Sequence, residues 1–123
     1  MKIAEIAELV CGKILTKDYK ASLEVQGAFV GDLMSDVLST IKPEAVLITG
    51  LNHPQVIRTA LIADASMVII ARGKVPTSEM IELAENEKMP LISSPMGLFE
   101  ISSRLAEKKI LSFENSFNCN NIP

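Results

Sequence analysis

The sequence predicts an α/β fold: a three-layer α/β/α arrangement around a mainly parallel sheet, in a single domain. Three observations predict it. From residue 45 onward, short apolar runs alternate in strict order with amphipathic helical segments. The runs are continuous rather than alternating, "AVLIT" at 45–49 and "MVIIA" at 67–71, as strands covered on both faces by helices must be. The chain has 123 residues, 48% of them apolar and 22% charged, which suits one compact core rather than disorder or several domains.

The elements follow in order. Ile3, Ile6, Ala7 and Val10 recur at helical spacing with Lys2, Glu5 and Glu8 off that face, so residues 2–10 form a short amphipathic helix closed by Gly12. "KILT" at 13–16 is a short strand, and a turn-like polar stretch follows it. A strand over 26–30 ends at Gly31, and Asp32 is placed to cap a helix running to Thr40. Gly27 serves close approach or a bulge. After the 45–49 strand comes a helix at 54–65, then the 67–71 strand and a helix at 77–88 capped by Thr77. "PLISS" at 90–94 is the next strand and "LFEISSRLAEKK" at 98–109 the last helix. The domain is expected to span 1–111, with 112–123 a flexible polar tail, since "SFENSFNCNNIP" is Asn-rich and lacks periodicity.

Composition excludes several function classes. The net charge is −3 with no basic cluster, so nothing neutralises a nucleic-acid backbone. The two cysteines, Cys11 and Cys119, lie far apart, with no CxxC and no Cys/His cluster, so no metal site and no cofactor is expected. Cys11 follows an apolar helix and reads as a small buried hydrophobe. Glu5 and Glu8 interrupt the first apolar run, which is no signal-peptide core, and no run approaches the roughly 18 apolar residues of a membrane span. A soluble, cytoplasmic protein is expected. Neither a Gly-Lys-Ser/Thr phosphate loop nor GxGxxG nor a GxSxG elbow occurs, so the chemistry those motifs carry is not expected.

In an open parallel sheet, ligands bind beyond the carboxyl ends of the strands. That rule nominates Gly50, Asn52, His53, Arg72, Lys74, Ser93 and Ser94 as ligand-binding candidates. His53 is the only histidine, and it precedes Pro54. The pre-proline position leaves the α region and proline favours the first helical position. His53 is therefore one candidate for the helix N-cap; Asn52, with Gln55 three residues on, is the other. Arg72 and Lys74 follow a strand and stand ready for an anion beside a helix start. Ser93 and Ser94 supply hydroxyls. No residue pairs with His53 as acid or nucleophile by any recognisable spacing, so no catalytic residue is nominated.

"GDLMSDVL" at 31–38 and the stretch from "AVLITGLNHPQVIRTALIADAS" at 45–66 through "GKVPTSEMIELAENEKMPLISSP" at 73–95 together resemble the DRTGG domain family. This domain is also similar to the N-terminal, non-catalytic domain of HPr kinase/phosphorylase. Within the family, the chain looks most like the free-standing members encoded near iron hydrogenase genes. The resemblance implies an α/β domain that pairs as a homodimer and acts as a regulatory or sensory module. Gly50-Leu51-Asn52-His53 stands where many members carry Gly-Asp-Arg, so the name-giving pair is replaced here.

Three functions follow in order of expectation. The first is a non-catalytic homodimer that senses a small anionic ligand or docks a protein partner. Phe29, Met34, Leu38 and Phe99 are candidates for apolar surface at its contact. The second is a binder of a nucleotide or phosphorylated metabolite at the strand ends. The third is a small enzyme built on His53.

Overall fold

The computed structural model describes residues 1–116. Six strands form one sheet: β1 (Lys13–Ile14), β2 (Gly27–Val30), β3 (Val46–Thr49), β4 (Met67–Ile70), β5 (Leu91–Ser93) and β6 (Leu111–Ser112). Their order across the sheet is β1-β5-β4-β3-β2-β6. Every neighbouring pair is parallel except β1 with β5. Five helices connect them: α1 (Ile3–Leu9), α2 (Met34–Thr40), α3 (Gln55–Ile62), α4 (Ser78–Asn86) and α5 (Leu98–Glu107).

The three layers follow from the period-two alternation of side chains along buried strands. Val46 and Ile48 of β3, with Met67 and Ile69 of β4, face Ile3, Ile6, Ile101 and Leu105 from α1 and α5. Leu47, Val68 and Ile70 face the other way, against Met34, Val37, Val56, Ile57 and Met80 from α2, α3 and α4. All eight residues of β3 and β4 are buried. Strands sandwiched in this way have no polar face to show, hence the unbroken apolar runs.

Four local expectations change. α1 is closed by Cys11, which takes the left-handed conformation (φ 54°) while Gly12 N–H bonds the Ala7 carbonyl at 2.7 Å. In that conformation the Cys11 side chain projects outward, so it is exposed rather than packed as a core hydrophobe. Asp32 does not cap α2: the residue before the helix is Leu33, and the Asp32 carboxylate turns to the end of β3. Phe29 and Met34 lie in the core, which removes both from the candidate contact surface, whereas Leu38 and Phe99 are exposed.

The chain does not leave the sheet at residue 111. Ser112 pairs with Ala28 in β6, and Glu114 forms an antiparallel bridge with Ile41. Phe113 lies so close to Gly27 that a Cβ there would overlap its ring, which accounts for a glycine at the start of β2. The Phe113 carbonyl accepts the Lys42 N–H at 2.8 Å, and Asn115 N–H reaches the Thr40 carbonyl at 2.7 Å. Residues 112–115 of the expected tail are thus tied to β2 and to the end of α2. The remainder of that segment, Cys119 included, lies outside the described residues.

Candidate functional site

Parallel register brings the ends of β2, β3 and β4 to one level: Val30 pairs with Ile48, and Thr49 with Ile70. The residues just beyond those ends therefore meet, and the meeting point is the backbone of Gly50. Asp32 Oδ1 accepts the Gly50 N–H at 2.7 Å and the Thr49 hydroxyl at 3.1 Å. Thr49 Oγ1 in turn accepts the Leu51 N–H at 3.1 Å. From the other side Lys74 Nζ donates to the Gly50 carbonyl. The Arg72 guanidinium lies over the Cα of Gly50, where a Cβ would overlap it, and its Nη1 stands 3.8 Å from Asp32 Oδ2.

Local backbone geometry presents those two cations. Arg72 and Gly73 both take left-handed conformations (φ 66° and 67°) immediately after β4. Arg72 N–H bonds the Met96 carbonyl and Gly73 N–H the Ser94 carbonyl, each at 2.8 Å. The β4–α4 loop is thereby pinned to the β5–α5 loop, and Ser93 Oγ strengthens the pin by donating to the Lys74 carbonyl at 2.8 Å. Next along, Asn52 Nδ2 donates to the Val75 carbonyl at 3.0 Å, while its Oδ1 is buried without a partner among the described residues.

The electrostatics follow from these contacts. The Gly50 N–H, first, holds the Asp32 carboxyl below the ordinary carboxylate range; partial burial opposes it, and the Thr49 hydroxyl, Arg72 and Lys74 add to the lowering. Two cations thus face one carboxylate, all partly open to solvent. The arrangement presents a backbone N–H, a hydroxyl and the Arg72 guanidinium toward a single oxyanion position, with the Lys74 ammonium beside it on the Gly50 carbonyl.

Of the candidates nominated from sequence, Gly50, Arg72 and Lys74 come together directly, with Ser93 and Asn52 holding the loops around them. His53 acts locally: its Nδ1 accepts the Gln55 N–H at 3.0 Å and so caps α3, with Pro54 already helical (φ −55°). Of the two cap candidates the structure selects the histidine, and Asn52 instead ties the loop to Val75. Ser94 is not at the rim. Fully buried, it donates to the Val10 carbonyl at 2.7 Å and accepts the Met96 N–H at 3.1 Å, which makes it a tie between α1 and the β5–α5 loop. Sequence reasoning missed Asp32 and Thr49 as members of the cluster. Both are the first polar residues after an apolar strand run, a signal that becomes decisive only once the two strands are known to be neighbours in register.

Away from this cluster, a recess of about 220 Å³ lies between α5 and the β2–β6 edge and is lined by Ala28, Val30, Ile48, Leu105 and Leu111 among others. Its one titratable lining residue is Glu114, so it lacks the positive charge found at the strand ends. Among the described residues no helix is long and apolar enough to cross a membrane, and no group of three or more His, Cys, Asp or Glu is placed to hold a metal ion.

The model of the DRTGG domain family matches residues 5–108. The chain belongs to the DRTGG domain family. Among solved structures, this DRTGG domain is similar to the CBS and DRTGG domains of the regulatory region of Clostridium perfringens pyrophosphatase, which was crystallised with its activator, diadenosine tetraphosphate. The TM-score is 0.70 at 14% identity, covering 96% of this chain and 51% of that one. The likeness therefore establishes the α/β fold, and the chain spans about half the length of that regulatory region. No curated protein matches the chain.

Proposed function

We propose that this DRTGG domain is a non-catalytic regulatory module that works as a homodimer and senses a nucleotide or other phosphorylated metabolite at the carboxyl ends of β2, β3 and β4. The observation that carries this reading is the convergence of Arg72 and the Gly50 N–H on one carboxylate-sized position, with Lys74 close by on the Gly50 carbonyl. A phosphate oxygen makes the same contacts as a carboxylate oxygen and carries more charge. The starts of α3, α4 and α5 lie at this same edge of the sheet, and the positive ends of their dipoles favour negative charge there. Membership of a family with a relative in a nucleotide-activated regulatory region supports the ligand class.

Absence of catalysis is supported by how the polar side chains are used. The Nδ1 of His53 is engaged by its own helix, and the Ser93 and Ser94 hydroxyls donate to backbone carbonyls. Pairing is supported by apolar side chains left open around the same rim, Leu33, Val75 and Phe99, of which Phe99 is 87% exposed.

Thermal denaturation with diadenosine tetraphosphate, ATP, AMP and pyrophosphate tests the ligand class. A ligand at a hundred times its Kd stabilises the folded state by about 2.7 kcal/mol, so a clear rise in Tm is expected with at least one of them. Unchanged melting with all four at millimolar concentration overturns the ligand class. Light scattering at micromolar concentration is expected to give twice the 13.4 kDa chain mass; a strict monomer overturns the pairing.

A further inference from the structure

We propose that Asp32 is a built-in competitor for the strand-end site: its carboxylate holds the oxyanion position, and an incoming phosphate group takes its place on the Gly50 N–H and beside Arg72. The proposal rests on the reading of that site as an anion site and specifies how the site is regulated. Asp32 Oδ1 sits on the Gly50 N–H at 2.7 Å and on the Thr49 hydroxyl at 3.1 Å, with Arg72 3.8 Å from Oδ2. These are the donors that an external oxyanion would seek, and one carboxylate of the chain already satisfies them. Unlike a ligand buried in a cleft, this carboxylate is half open to solvent, so exchange for another anion needs no opening of the core.

The position of Asp32 in the chain gives the exchange a consequence. Between Asp32 and α2 lies Leu33 alone, itself 60% exposed, and the Leu33 carbonyl accepts the Asp36 and Val37 N–H groups that begin the helix. A carboxylate expelled from Gly50 thus releases the tether that holds the start of α2 to the end of β3. At the other end α2 is held by Thr40 to Asn115 and by the adjoining Lys42 to Phe113. The loosened end is the one next to the ligand.

The test is calorimetric titration of diadenosine tetraphosphate and pyrophosphate into the wild-type chain and into Asp32→Asn. The asparagine keeps an oxygen for the Gly50 N–H and removes the competing charge. Affinity in Asp32→Asn is expected to rise roughly two- to fivefold, the scale of one exposed charge interaction. Wild-type binding with equal or weaker binding by Asp32→Asn overturns the competitor and leaves the ligand site standing. Failure of both proteins to bind either probe overturns the site itself and the competitor with it. A second measurement needs no substitution. In the carboxyl-carbon NMR of wild-type protein, saturation with probe is expected to move the Asp32 resonance and return its titration midpoint toward the ordinary carboxylate range. An Asp32 resonance that stays in place at saturation overturns the proposal even if Asp32→Asn fails to fold.

Discussion

Asp32, two residues beyond β2, accepts the backbone N–H of Gly50, the first residue beyond β3, at 2.7 Å. This bond joins two loops that are 18 residues apart in sequence. Together with Lys74 on the carbonyl of the same residue, it makes Gly50 the point where the loops after β2, β3 and β4 are tied into one surface.

Gly50→Ala isolates the role of Arg72. The Gly50 φ is not in the left-handed region, so alanine suits the backbone, and its Cβ meets chiefly the far end of the flexible Arg72 side chain. The guanidinium must move off Asp32 while every charge is retained. The surface ion pair is worth no more than about 1 kcal/mol, so Tm is expected to change little. Affinity for the anionic probe is expected to fall roughly tenfold, because a cationic donor has left the site. Paired calorimetry and melting check it, and unchanged affinity removes Arg72 from the site.

The contrast between Gly50 and Asp32 shows what was legible in the sequence. Strands β3 and β4 announced themselves because burial on both faces demands unbroken apolar runs. Thr77 as the cap of α4 was legible because capping is local: its side chain accepts the Met80 N–H at 3.2 Å, three residues on. Gly50, Arg72 and Lys74 were reachable through the rule that parallel sheets bind at their carboxyl ends. Asp32 was misread because an aspartate ahead of a helix satisfies the local capping rule equally well, and its actual partner comes from a neighbouring strand. Ser94 was misassigned for a similar reason, since its acceptor, Val10, is 84 residues away. β6 was invisible: two residues carry no period, and β2 supplies the pairing.

Ser94→Ala tests the buried tie. Its hydroxyl serves both the Val10 carbonyl and the Met96 N–H, and alanine leaves these backbone groups short of a partner. A buried unsatisfied group costs about 1–3 kcal/mol, which corresponds to a Tm lower by roughly 4–12 °C for a domain of this size. Ligand affinity at the rim is expected to hold, because Ser94 touches none of Asp32, Gly50 or Lys74 through its side chain. Loss of affinity with intact folding would instead place the residue in the site.

Glu85 of α4 performs a similar task on the surface. Its carboxylate accepts the Lys17 N–H at 2.9 Å and the Asp18 N–H at 2.7 Å, and these two bonds, Lys17 first, hold its pKa below the ordinary value. They fasten the polar segment after β1 to the α4 side of the sheet. Glu85→Ala is expected to speed amide exchange at Lys17 and Asp18 while leaving β3 and β4 as protected as before. Unchanged exchange at both amides would mean that the segment is held by other contacts.

Acid titration of stability separates the charge of Asp32 from its shape. The Gly50 N–H, ahead of the Thr49 hydroxyl, Arg72 and Lys74, lowers its folded pKa below the ordinary 3.8, against a smaller opposing effect of burial. A lowered folded pKa means that the folded state binds the proton less readily than the unfolded chain does. The resulting stability is fully present above the unfolded value and is lost as pH falls through the folded one. Asp32→Asn has no carboxylate to protonate. The Tm difference between wild type and Asp32→Asn is therefore expected to be constant from pH 7 to about pH 5, to move against the wild type below about pH 4, and to level off once Asp32 is protonated in both states. Solvent screening of a half-exposed group keeps the whole change under about 1 kcal/mol. Melting curves at half-unit pH steps resolve it, and a difference that stays flat down to pH 2.5 would show that the Gly50 N–H does not discriminate the carboxylate from the amide.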